Sequence, residues 1–334
     1  MAILVLGGAG YIGSHAVKKL LEENYEVIVA DNLSTGFRSA VDSRAKFYEC
    51  DIANVNDMEK LFTENSVTGV MHFAAFSLVG ESVQEPLKYF KNNTGTMLTL
   101  LELLNKYDVR HLVFSSTAAV YGEAEQMPIN EDSVKNPTSP YGESKLMMEK
   151  IINWTSKVTD LNYVSLRYFN VAGASKDATI GESHNPETHL IPIVLEYALG
   201  KREKLYVFGN DYDTPDGTCI RDYIHVEDLI DAHILALEYL MGGGESDIFN
   251  LGYNKGYSIL EIVKTSEEVT GRPLRFEYKD RRAGDPSVLI ADSGHIMNKL
   301  GWSPRNNDIK EIISDAWRWH RNNPEGWVTH ETDD

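Results

Sequence analysis

The fold of this chain is decided by the stretch AILVLGGAGYIGSHA at residues 2–16. It begins with an apolar run rich in branched side chains, which is typical of a strand buried on both faces. Gly7, Gly10 and Gly13 follow directly with GxxGxxG spacing, and apolar residues then recur at every fourth position as far as Leu20. The stretch therefore predicts a strand, a tight glycine turn and a helix.

A glycine turn of this kind is suited to hold a pyrophosphate. The glycines let the backbone approach the phosphates closely, and the amides of the helix N-terminus receive their charge. Asp31 ends the second predicted strand, close to the distance of roughly 20 residues at which a carboxylate binds an adenosine ribose. Because a carboxylate there repels a 2′-phosphate, the sequence predicts NAD rather than NADP as the cofactor. Asp51 and Ile52 follow the third strand, and Phe73, Ala74 and Ala75 follow the fourth, at the edge where ligands bind in such sheets.

The first half of the chain alternates short β-branched runs with helical patterns. This alternation predicts an α/β fold with a Rossmann-type, doubly wound parallel sheet. After about residue 170 the sequence is richer in Gly, Asn, Asp and Pro, which predicts a smaller C-terminal α/β lobe that binds substrate. We therefore expect residues 1–170 to form an NAD-binding domain, joined by a later segment near 224–250, and residues 171–334 to form mainly the substrate lobe. The runs expected as buried strands are Ile3–Leu6, Val27–Ala30, Val70–Phe73, His111–Ser115 and Tyr163–Leu166.

Charge and composition exclude several classes of partner. The chain has 334 residues and a formal net charge of -18, so nucleic acids and anionic membranes are expected to be repelled. Its two cysteines, Cys50 and Cys219, have no metal or disulfide spacing, which predicts a reducing, cytoplasmic setting. The ten histidines show no paired metal spacing either, so we expect no metal site and interpret them as surface or packing residues.

A tyrosine and a lysine one helical turn apart form the predicted catalytic pair. Tyr141 and Lys145 lie in SPYGESK, with Pro140 at the expected start of a helix. For the tyrosine to act as a base near neutral pH its pKa must fall by roughly 3 units, for which an adjacent ammonium and a cationic nicotinamide supply the field. Tyr197 and Lys201 repeat the spacing, but Gly200 at a probable helix end makes that pair structural in our interpretation.

Hydroxyl groups at the end of a neighbouring strand strengthen the catalytic interpretation. Ser115 and Thr117 close the run that begins at His111, and Thr117 could hydrogen-bond the reacting oxygen of a substrate. We therefore predict Tyr141, Lys145 and Thr117 as the catalytic residues.

The order and wording of the motifs resemble the extended short-chain dehydrogenase/reductases, and within them the sugar-nucleotide epimerases that interconvert UDP-glucose and UDP-galactose. The resemblance extends from residue 1 to the Trp-rich segment that ends at Gly326. It is carried by GGAGYIGSH (7–15), DNLSTG (31–36), HFAA (72–75), FSSTAAVYG (114–122), SPYGESK (139–145), RYFNVAG (167–173), GTCIRDYIHV (217–226) and RRAGD (281–285).

The resemblance implies a mechanism and a set of binding residues. Tyr141 would remove the 4-OH proton while NAD accepts the C4 hydride, and the ketone would turn before the hydride returns to its opposite face. With the glycine turn included, the expected cofactor residues are Gly7, Gly10, Tyr11, Ile12, Gly13, Asp31, Asn32, Asp51, Ile52, Phe73, Ala74, Ala75, Asn92, Ser115, Tyr141, Lys145, Tyr168 and Phe169. The expected substrate residues are Thr117, Tyr141, Asn170, His189, Leu190, Tyr206, Val207, Phe208, Arg221, Tyr223, Arg282, Asp285 and Leu289.

The sequence departs from this family's pattern at three positions. Ser77 replaces a cofactor-contacting lysine that some members carry, which puts permanent NAD retention in doubt. His189 stands where an asparagine is common, so its hydrogen bond to substrate is less certain. Leu289 occupies a position that varies with the size of the sugar, and we expect a leucine there to exclude an N-acetyl group at C2.

Several alternative functions remain open. A UDP-N-acetylhexosamine or UDP-uronate 4-epimerase would differ only in the shape of the sugar pocket. A 4,6-dehydratase needs an additional acid and base, and Ala118 and Ala119 follow Thr117 where a carboxylate would be required. A regulator that binds NAD(H) without chemistry has no need of the Tyr, Lys and hydroxyl set.

Four further expectations concern assembly, helix starts, packing and the C-terminal tail. Adjacent apolar residues in the helices around Met97–Leu104 and Leu146–Val158 exceed one core-facing stripe, which predicts a homodimer. Ser258 with Glu261, and Asp308 with Glu311, predict helix starts of the capping-box type. The four tryptophans Trp302, Trp317, Trp319 and Trp327 are interpreted as packing residues, and the tail Thr329–Asp334 is predicted to be disordered.

Overall fold

The computed structural model describes residues 1–282 and 285–327, so the predicted disorder of Thr329–Asp334 lies outside the described residues. This part of the chain contains thirteen strands: β1 (Ala2–Leu6), β2 (Glu26–Asp31), β3 (Lys46–Glu49), β4 (Val67–His72), β5 (His111–Thr117), β6 (Asn162–Tyr168), β7 (Asn170–Ala172), β8 (Leu205–Phe208), β9 (Ile220–His225), β10 (Asp247–Leu251), β11 (Gly256–Ser258), β12 (Phe276–Lys279) and β13 (Val288–Leu289).

Eleven α-helices lie between and after these strands in the same described ranges. A π-helical turn at Phe90–Thr94 leads directly into the fifth helix, and short 3₁₀ turns lie at Arg38–Ala40 and Ala118–Val120. The helices are α1 (Tyr11–Glu22), α2 (Val55–Glu64), α3 (Val79–Gln84), α4 (Pro86–Tyr89), α5 (Gly95–Lys106), α6 (Pro140–Ser156), α7 (Leu190–Ala198), α8 (Val226–Met241), α9 (Ile259–Thr270), α10 (Gly294–Leu300) and α11 (Ile309–Asn322).

The central sheet has seven strands in the order β10-β6-β5-β4-β1-β2-β3. All neighbouring strands are parallel. From β1 the chain first builds β2 and β3 on one side and then crosses to β4 on the other. The strand order therefore reverses between β1 and β4, which is where ligands bind in open α/β sheets. The predicted Rossmann-type fold is confirmed.

The strands form where both faces of the sheet are covered. All five residues of β1 are buried, and one core cluster joins β1, α1 and α8 while a second joins β1, α2 and α5 on the other face. The predicted strands were correct in position but too short, because their ends carry polar residues that the apolar pattern does not mark. An example is β4, which begins at Val67 rather than Val70.

Later parts of the chain return to the central sheet. The strand β10 pairs with β6 at the sheet edge, and α8 packs its apolar residues against α1. Both elements lie within or next to the expected return segment near 224–250. The division of the chain at residue 170 stays a proposal.

A smaller unit is built around β9. Its neighbours are β7, β11 and β13, while β8 and β12 form a separate parallel pair. Helices α7, α9 and α11 share one apolar core with this unit. Trp317 lies in that core, Trp319 is fully buried, and Trp302 packs into the core of the central sheet, so these three tryptophans are packing residues.

The two predicted helix starts differ in detail. Ser258 and Glu261 form a complete capping box at α9. Asp308 caps α11 differently from the prediction, because its side chain accepts a hydrogen bond from Lys310 N at 3.0 Å instead of forming the box with Glu311. Among the residues described, no helix is long and apolar enough to cross a membrane.

Candidate active site

The glycine turn after β1 leaves space that side chains would fill. Gly7 has φ +78, and a Cβ atom there would lie 2.7 Å from Ala74 N. A Cβ atom at Gly13 would lie 2.1 Å from Gly7 O. Gly10 is the N-cap residue of α1 and has no side chain to cover the first amides of the helix. This open turn at a helix N-terminus fits the pyrophosphate of a dinucleotide.

Asp31 at the end of β2 faces the glycine turn. Its Oδ2 accepts a hydrogen bond from Ala9 N at 2.9 Å, and its Oδ1 accepts one from Leu33 N at 2.9 Å. Beside it, Asn32 Nδ2 donates to Asp51 Oδ2 at 3.0 Å. Because each carboxylate oxygen has a second lone pair, Asp31 is fixed in position and can still accept hydrogen bonds from a ribose.

The ends of the parallel strands bring the predicted catalytic groups together. Thr117, the last residue of β5, lies opposite Tyr168 of β6. Tyr141 lies in the first turn of α6, and its phenol interacts with the Thr117 hydroxyl. One turn later, Lys145 Nζ donates to Ser115 O at 2.9 Å. The phenol, the hydroxyl and the amine therefore share one end of β5.

Burial dominates the electrostatics of this group. It raises the pKa of Tyr141, an effect that the hydrogen bond with Thr117 opposes. It lowers the pKa of Lys145 to about 7, although the charge of Glu149 acts in the other direction. The field expected from the adjacent ammonium and the cationic nicotinamide must therefore overcome burial, because the desolvation of two buried groups favours their neutral forms.

Ser115 lies beside a histidine that the sequence analysis did not single out. Its Oγ is 3.0 Å from His233 Nε2 in α8, and His233 Nδ1 is 2.9 Å from Leu229 O. The His233 ring also packs against Phe73, with ring centroids 4.9 Å apart, and against Tyr168. Burial lowers the pKa of His233 to about 4, so a neutral imidazole holds the serine and the aromatic residues in place.

A second missed residue is Asn93, the neighbour of the predicted Asn92. Its side chain accepts from Phe76 N at 2.9 Å and donates to Phe76 O at 3.1 Å and to Ser144 Oγ at 3.0 Å. It therefore fixes the loop after β4 to the helix that carries Tyr141. Asn92 is half-buried and donates to Asn93 Oδ1 at 3.0 Å.

A buried ion pair connects α6, the helix that carries Tyr141, to the central sheet. Arg167 Nε and Nη2 donate to the two carboxylate oxygens of Glu149 at 2.9 and 2.6 Å. Arg167 Nη1 also donates to Tyr121 Oη at 2.8 Å, and Ser116 donates to Glu149. The network ties α6 to β5 and β6.

The smaller unit contains Arg221 and carries Arg282 nearby in the chain, the two arginines predicted as substrate contacts. Arg221 in β9 is ion-paired with Asp285 and donates to Pro286 O at 2.7 Å. The guanidinium of Arg282 lies 4.3 Å from the centroid of the Phe208 ring. Arg221 therefore lies beside Asp285, and Arg282 lies beside Phe208. All four residues were predicted as substrate contacts.

The remaining predicted substrate residues lie in β7, β8, β9 and β13 and at the start of α7. Leu289 is the register partner of Arg221 and packs against the cluster that contains Phe169. Val207 is only 1% exposed, so only its backbone can face a ligand. The others are Asn170, which pairs with Tyr223 across β7 and β9; Tyr206, half-buried in β8; and Leu190, the first residue of α7.

Four of the predicted cofactor residues are placed as follows. Tyr11 donates to Gly173 O at 2.8 Å, Ile12 packs against the core, Ile52 is buried, and Ala75 is half-buried in the loop after β4.

The loop before α7 contains a cluster of two glutamates and two histidines. His189 Nδ1 lies 3.0 Å from Glu182 Oε1 and 3.1 Å from Glu187 Oε1. His184 Nδ1 lies 3.4 Å from each of the same two carboxylates. Two of the histidines interpreted from the sequence as surface or packing residues therefore lie in one cluster with two carboxylates. The alternating Glu and His positions from 182 to 189 were the signal that the search for HExxH spacing missed.

The carboxylates control the charge of both imidazoles. Burial lowers the pKa of His184, but its contacts with Glu182 and Glu187 outweigh this effect and raise the pKa to about 9. The same balance raises the pKa of His189 to about 10. In this arrangement His189 Nδ1 is engaged by the glutamates rather than free for a substrate.

Comparison with known proteins gives consistent matches over almost the whole chain. Residues 3–252 match the model of the NAD-dependent epimerase/dehydratase family. A UDP-glucose 4-epimerase of Lacticaseibacillus casei is 54% identical over 98% of this chain and 99% of that protein. A crystal structure of a UDP-glucose 4-epimerase has a TM-score of 0.97 at 52% identity and covers 98% of this chain and 100% of that one. Another, the Brucella ovis enzyme in complex with NAD, has a TM-score of 0.92 at 44% identity and covers 95% and 97% of the two chains.

Proposed function

This chain belongs to the NAD-dependent epimerase/dehydratase family, and from that membership and the active-site geometry we propose that it interconverts UDP-glucose and UDP-galactose by inverting C4. The membership confirms the family expected from the motifs. The observation that carries the proposal is the meeting of three groups at the end of β5, namely the phenol of Tyr141, the hydroxyl of Thr117 and the amine of Lys145.

The residues present fit NAD as the cofactor. Gly7, Gly10 and Gly13 would hold its pyrophosphate at the open N-terminus of α1, and Asp31 would hold a ribose. NAD, when bound, supplies the acceptor for the C4 hydride and later its donor. Since the cofactor is regenerated in every cycle, the protein needs no second redox substrate.

Proton transfer is the task of Tyr141. Its phenolate would accept the proton of the sugar 4-OH, and the Thr117 hydroxyl would hydrogen-bond the same oxygen as its charge changes. Because burial raises the pKa of Tyr141, positive charge close to the phenol is needed to favour the phenolate at neutral pH. Protonated Lys145 and a cationic nicotinamide ring are the two sources of that charge.

The nucleotide must stay anchored while the oxidised sugar turns. Arg221 is 6% exposed and fixed by Asp285, so it is suited to hold a diphosphate without rearrangement. Arg282, stacked on Phe208, would provide the second cation. Elimination of water from the sugar would need an acid and a base near C5 and C6. Ala118 and Ala119 follow Thr117 and offer neither, which supports epimerisation over dehydration.

The size of the sugar that is accepted is a finer proposal. Leu289 packs against the apolar cluster that contains Phe169 and, from α6, Leu146, and a branched side chain there reduces the space for a C2 substituent. We therefore favour UDP-glucose and UDP-galactose over UDP-N-acetylhexosamines and UDP-uronates.

We also propose a homodimer, on only one of the two helical segments singled out in the sequence, Leu146–Val158. Leu100, Leu101, Leu103 and Leu104 are buried inside the monomer, so the adjacent apolar pairs of α5 do not form an extra surface. An apolar stripe does lie on the outer face of α6, where Met147, Ile151 and Trp154 follow each other at helical spacing, and Val158 lies just beyond the end of the helix. Trp154 and Val158 are 69% and 83% exposed. Such a stripe is typical of a protein interface.

A cytoplasmic location is proposed on the state of the cysteines. Cys50 and Cys219 are both free and buried, which suits a reducing compartment.

The function is tested by incubating the purified protein with UDP-galactose, with and without added NAD, and separating the products. We expect UDP-glucose to form, and added NAD to increase the rate because Ser77 replaces a lysine that contacts the cofactor in some relatives. Recovery of unchanged UDP-galactose in both reactions, or of a dehydrated 4-keto sugar, would contradict the proposal.

A further inference from the structure

The cluster before α7 has the composition and geometry of a metal centre. Each of Glu182, His184, Glu187 and His189 offers one ligand atom, and these atoms all lie within 4.8 Å of one another. Both histidines present Nδ1 to the carboxylates. Imidazole nitrogen with carboxylate oxygen is a ligand set that suits zinc.

The distances match the edges of a tetrahedron around a metal ion. Zinc binds nitrogen and oxygen at about 2.0–2.2 Å, so its ligand atoms are separated by roughly 3.3–3.5 Å in tetrahedral geometry. The four contacts between imidazole and carboxylate measure 3.0, 3.1, 3.4 and 3.4 Å. The two contacts of Glu187 use different oxygens of its carboxylate, so one of these oxygens would turn toward the ion as the four ligand atoms, all within 4.8 Å of one another, close around it.

The charges of the cluster also balance a divalent cation. The side chains of Glu182 and Glu187 are 4% and 3% exposed, and two buried carboxylates require compensation by positive charge. A divalent ion bound to two carboxylates and two neutral imidazoles gives a net charge of zero. Protonation of both imidazoles gives the same net charge without a metal, so metal binding would exchange two protons for one cation.

One atom of the cluster has no hydrogen bond in the described residues. His184 Nδ1 is buried, yet it makes no contact of hydrogen-bond geometry within residues 1–282 and 285–327. A buried polar atom of this kind points to an unrecorded partner, of which an ion is one class. Glu187 is oriented by the backbone, because Thr188 N and His189 N both donate to its Oε1 at 2.8 Å. Such support positions a ligand for a metal.

The cluster is open to solvent and lies beside the glycine turn. The side chains of His184 and His189 are 29% and 46% exposed, so an ion can reach them from solvent. The His184 ring lies edge-on to Tyr11 of the glycine turn, with ring centroids 6.4 Å apart. His189 is the N-cap residue of α7. An ion there would fix the loop before α7 against the start of α1.

We propose that Glu182, His184, Glu187 and His189 form a structural binding site for one divalent transition-metal ion of the zinc type. The site is separate from the catalytic groups, and its role is to hold the loop before α7 in place.

The test uses the full-length protein, stripped of metal by chelation and then titrated with zinc chloride. We expect one zinc ion to bind per chain, as measured by elemental analysis after gel filtration. A cobalt titration should give the intense visible spectrum of tetrahedral coordination, and zinc should raise the midpoint of thermal unfolding. Wild-type protein that retains no zinc, or shows only an octahedral cobalt spectrum, would overturn the proposal.

Variants assign the site to these residues. His184→Gln and Glu182→Gln should each weaken zinc binding at least ~10-fold, and circular dichroism checks that each variant is folded. The matched control is His295→Gln, which removes a half-exposed histidine paired with Asp247 at 3.1 Å and should leave zinc binding unchanged. If folded His184→Gln binds zinc as tightly as the wild type, the cluster is not the site. Because zinc binding is measured without substrate, failure here leaves the proposed epimerase activity unaffected.

Discussion

The chemistry of the site depends on how single residues are buried. Tyr141 is half-buried at the start of α6, and Lys145 is 3% exposed one turn later. Both are held by partners at the end of β5, which are Thr117 and Ser115. Burial favours the neutral form of each group, so the positive charge that favours the Tyr141 phenolate must come from Lys145 in its protonated form and from the nicotinamide of the bound cofactor.

Removing the phenolic oxygen tests the assigned base. Tyr141→Phe should lower turnover at least ~100-fold, because it deletes a proton-transfer group while keeping the aromatic ring. Binding of NAD and UDP-sugar should be nearly unchanged by calorimetry. The matched control is Tyr197→Phe, which changes the other YxxxK tyrosine in α7 and should leave turnover within a factor of a few. Near wild-type turnover of Tyr141→Phe would remove this residue from the mechanism.

The depressed pKa of Lys145 predicts a pH-dependent contribution to stability. Its pKa is about 7 in the folded protein, below the value of 10.5 for a free lysine. Between these values the unfolded chain binds more protons, so the contribution of Lys145 to the free energy of unfolding rises with pH. Relative to Lys145→Met, the cofactor-free wild type should gain up to ~1.4 kcal/mol per pH unit from about pH 7 to pH 9. A difference that stays constant in urea unfolding across this range would contradict the shift.

The sugar pocket is tested at Leu289. The ratio of kcat/KM for UDP-galactose to that for UDP-N-acetylgalactosamine should favour UDP-galactose by roughly 5- to 150-fold in the wild type. Leu289→Cys should reduce this ratio, because a smaller side chain leaves room for the acetyl group. Equal values in the wild type would refute the steric argument, and an unchanged ratio in the variant would locate the filter elsewhere.

At the scale of elements, the buried pair of Glu149 and Arg167 connects α6 with β6. The side chains are 4% and 3% exposed, so loss of one charge leaves the other buried without compensation. Glu149→Gln should lower the free energy of unfolding by ~3–5 kcal/mol, measured by denaturant titration. Glu59→Gln, which removes the exposed partner of Lys106, should have no measurable effect. Equal stability of the two variants would show that the pair does not hold the catalytic helix.

The sequence predicts elements best where burial makes the pattern extreme. The run 2–6 is buried on both faces, so its composition alone identifies β1. Strand ends were missed because polar residues such as Thr68 can continue a ladder without an apolar signal. The short strands β7, β9 and β13 were also missed, since their pairing joins segments far apart in the chain.

The residues of the candidate site could be predicted only where a local spacing rule marks them. The glycine turn, Asp31, Tyr141 and Lys145 follow local spacing rules, and the structure brings them to one edge of the sheet. The supporting residues Asn93 and His233 carry no local signal, because their roles come from contacts across the fold. The substrate roles carried over from the family stay predictions.

At the scale of the whole molecule, we expect the outer face of α6 to form the interface of a homodimer. Light scattering at micromolar concentration should give the mass of a dimer, and Trp154→Glu should shift it to the monomer by placing a charge in the apolar stripe. Val134→Glu is the control, because Val134 is 79% exposed outside this helix. A wild-type protein with monomer mass would count decisively against the dimer.

The central claim is that hydride leaves C4 and returns to it within one closed site. It is tested most directly by incubating the protein and NAD with UDP-galactose in D2O and recording the proton NMR spectrum of the product. Because the hydride is held by the cofactor and never exchanges with solvent, we predict UDP-glucose that retains protium at C4. No conversion, or UDP-glucose that carries deuterium at C4, would contradict the account.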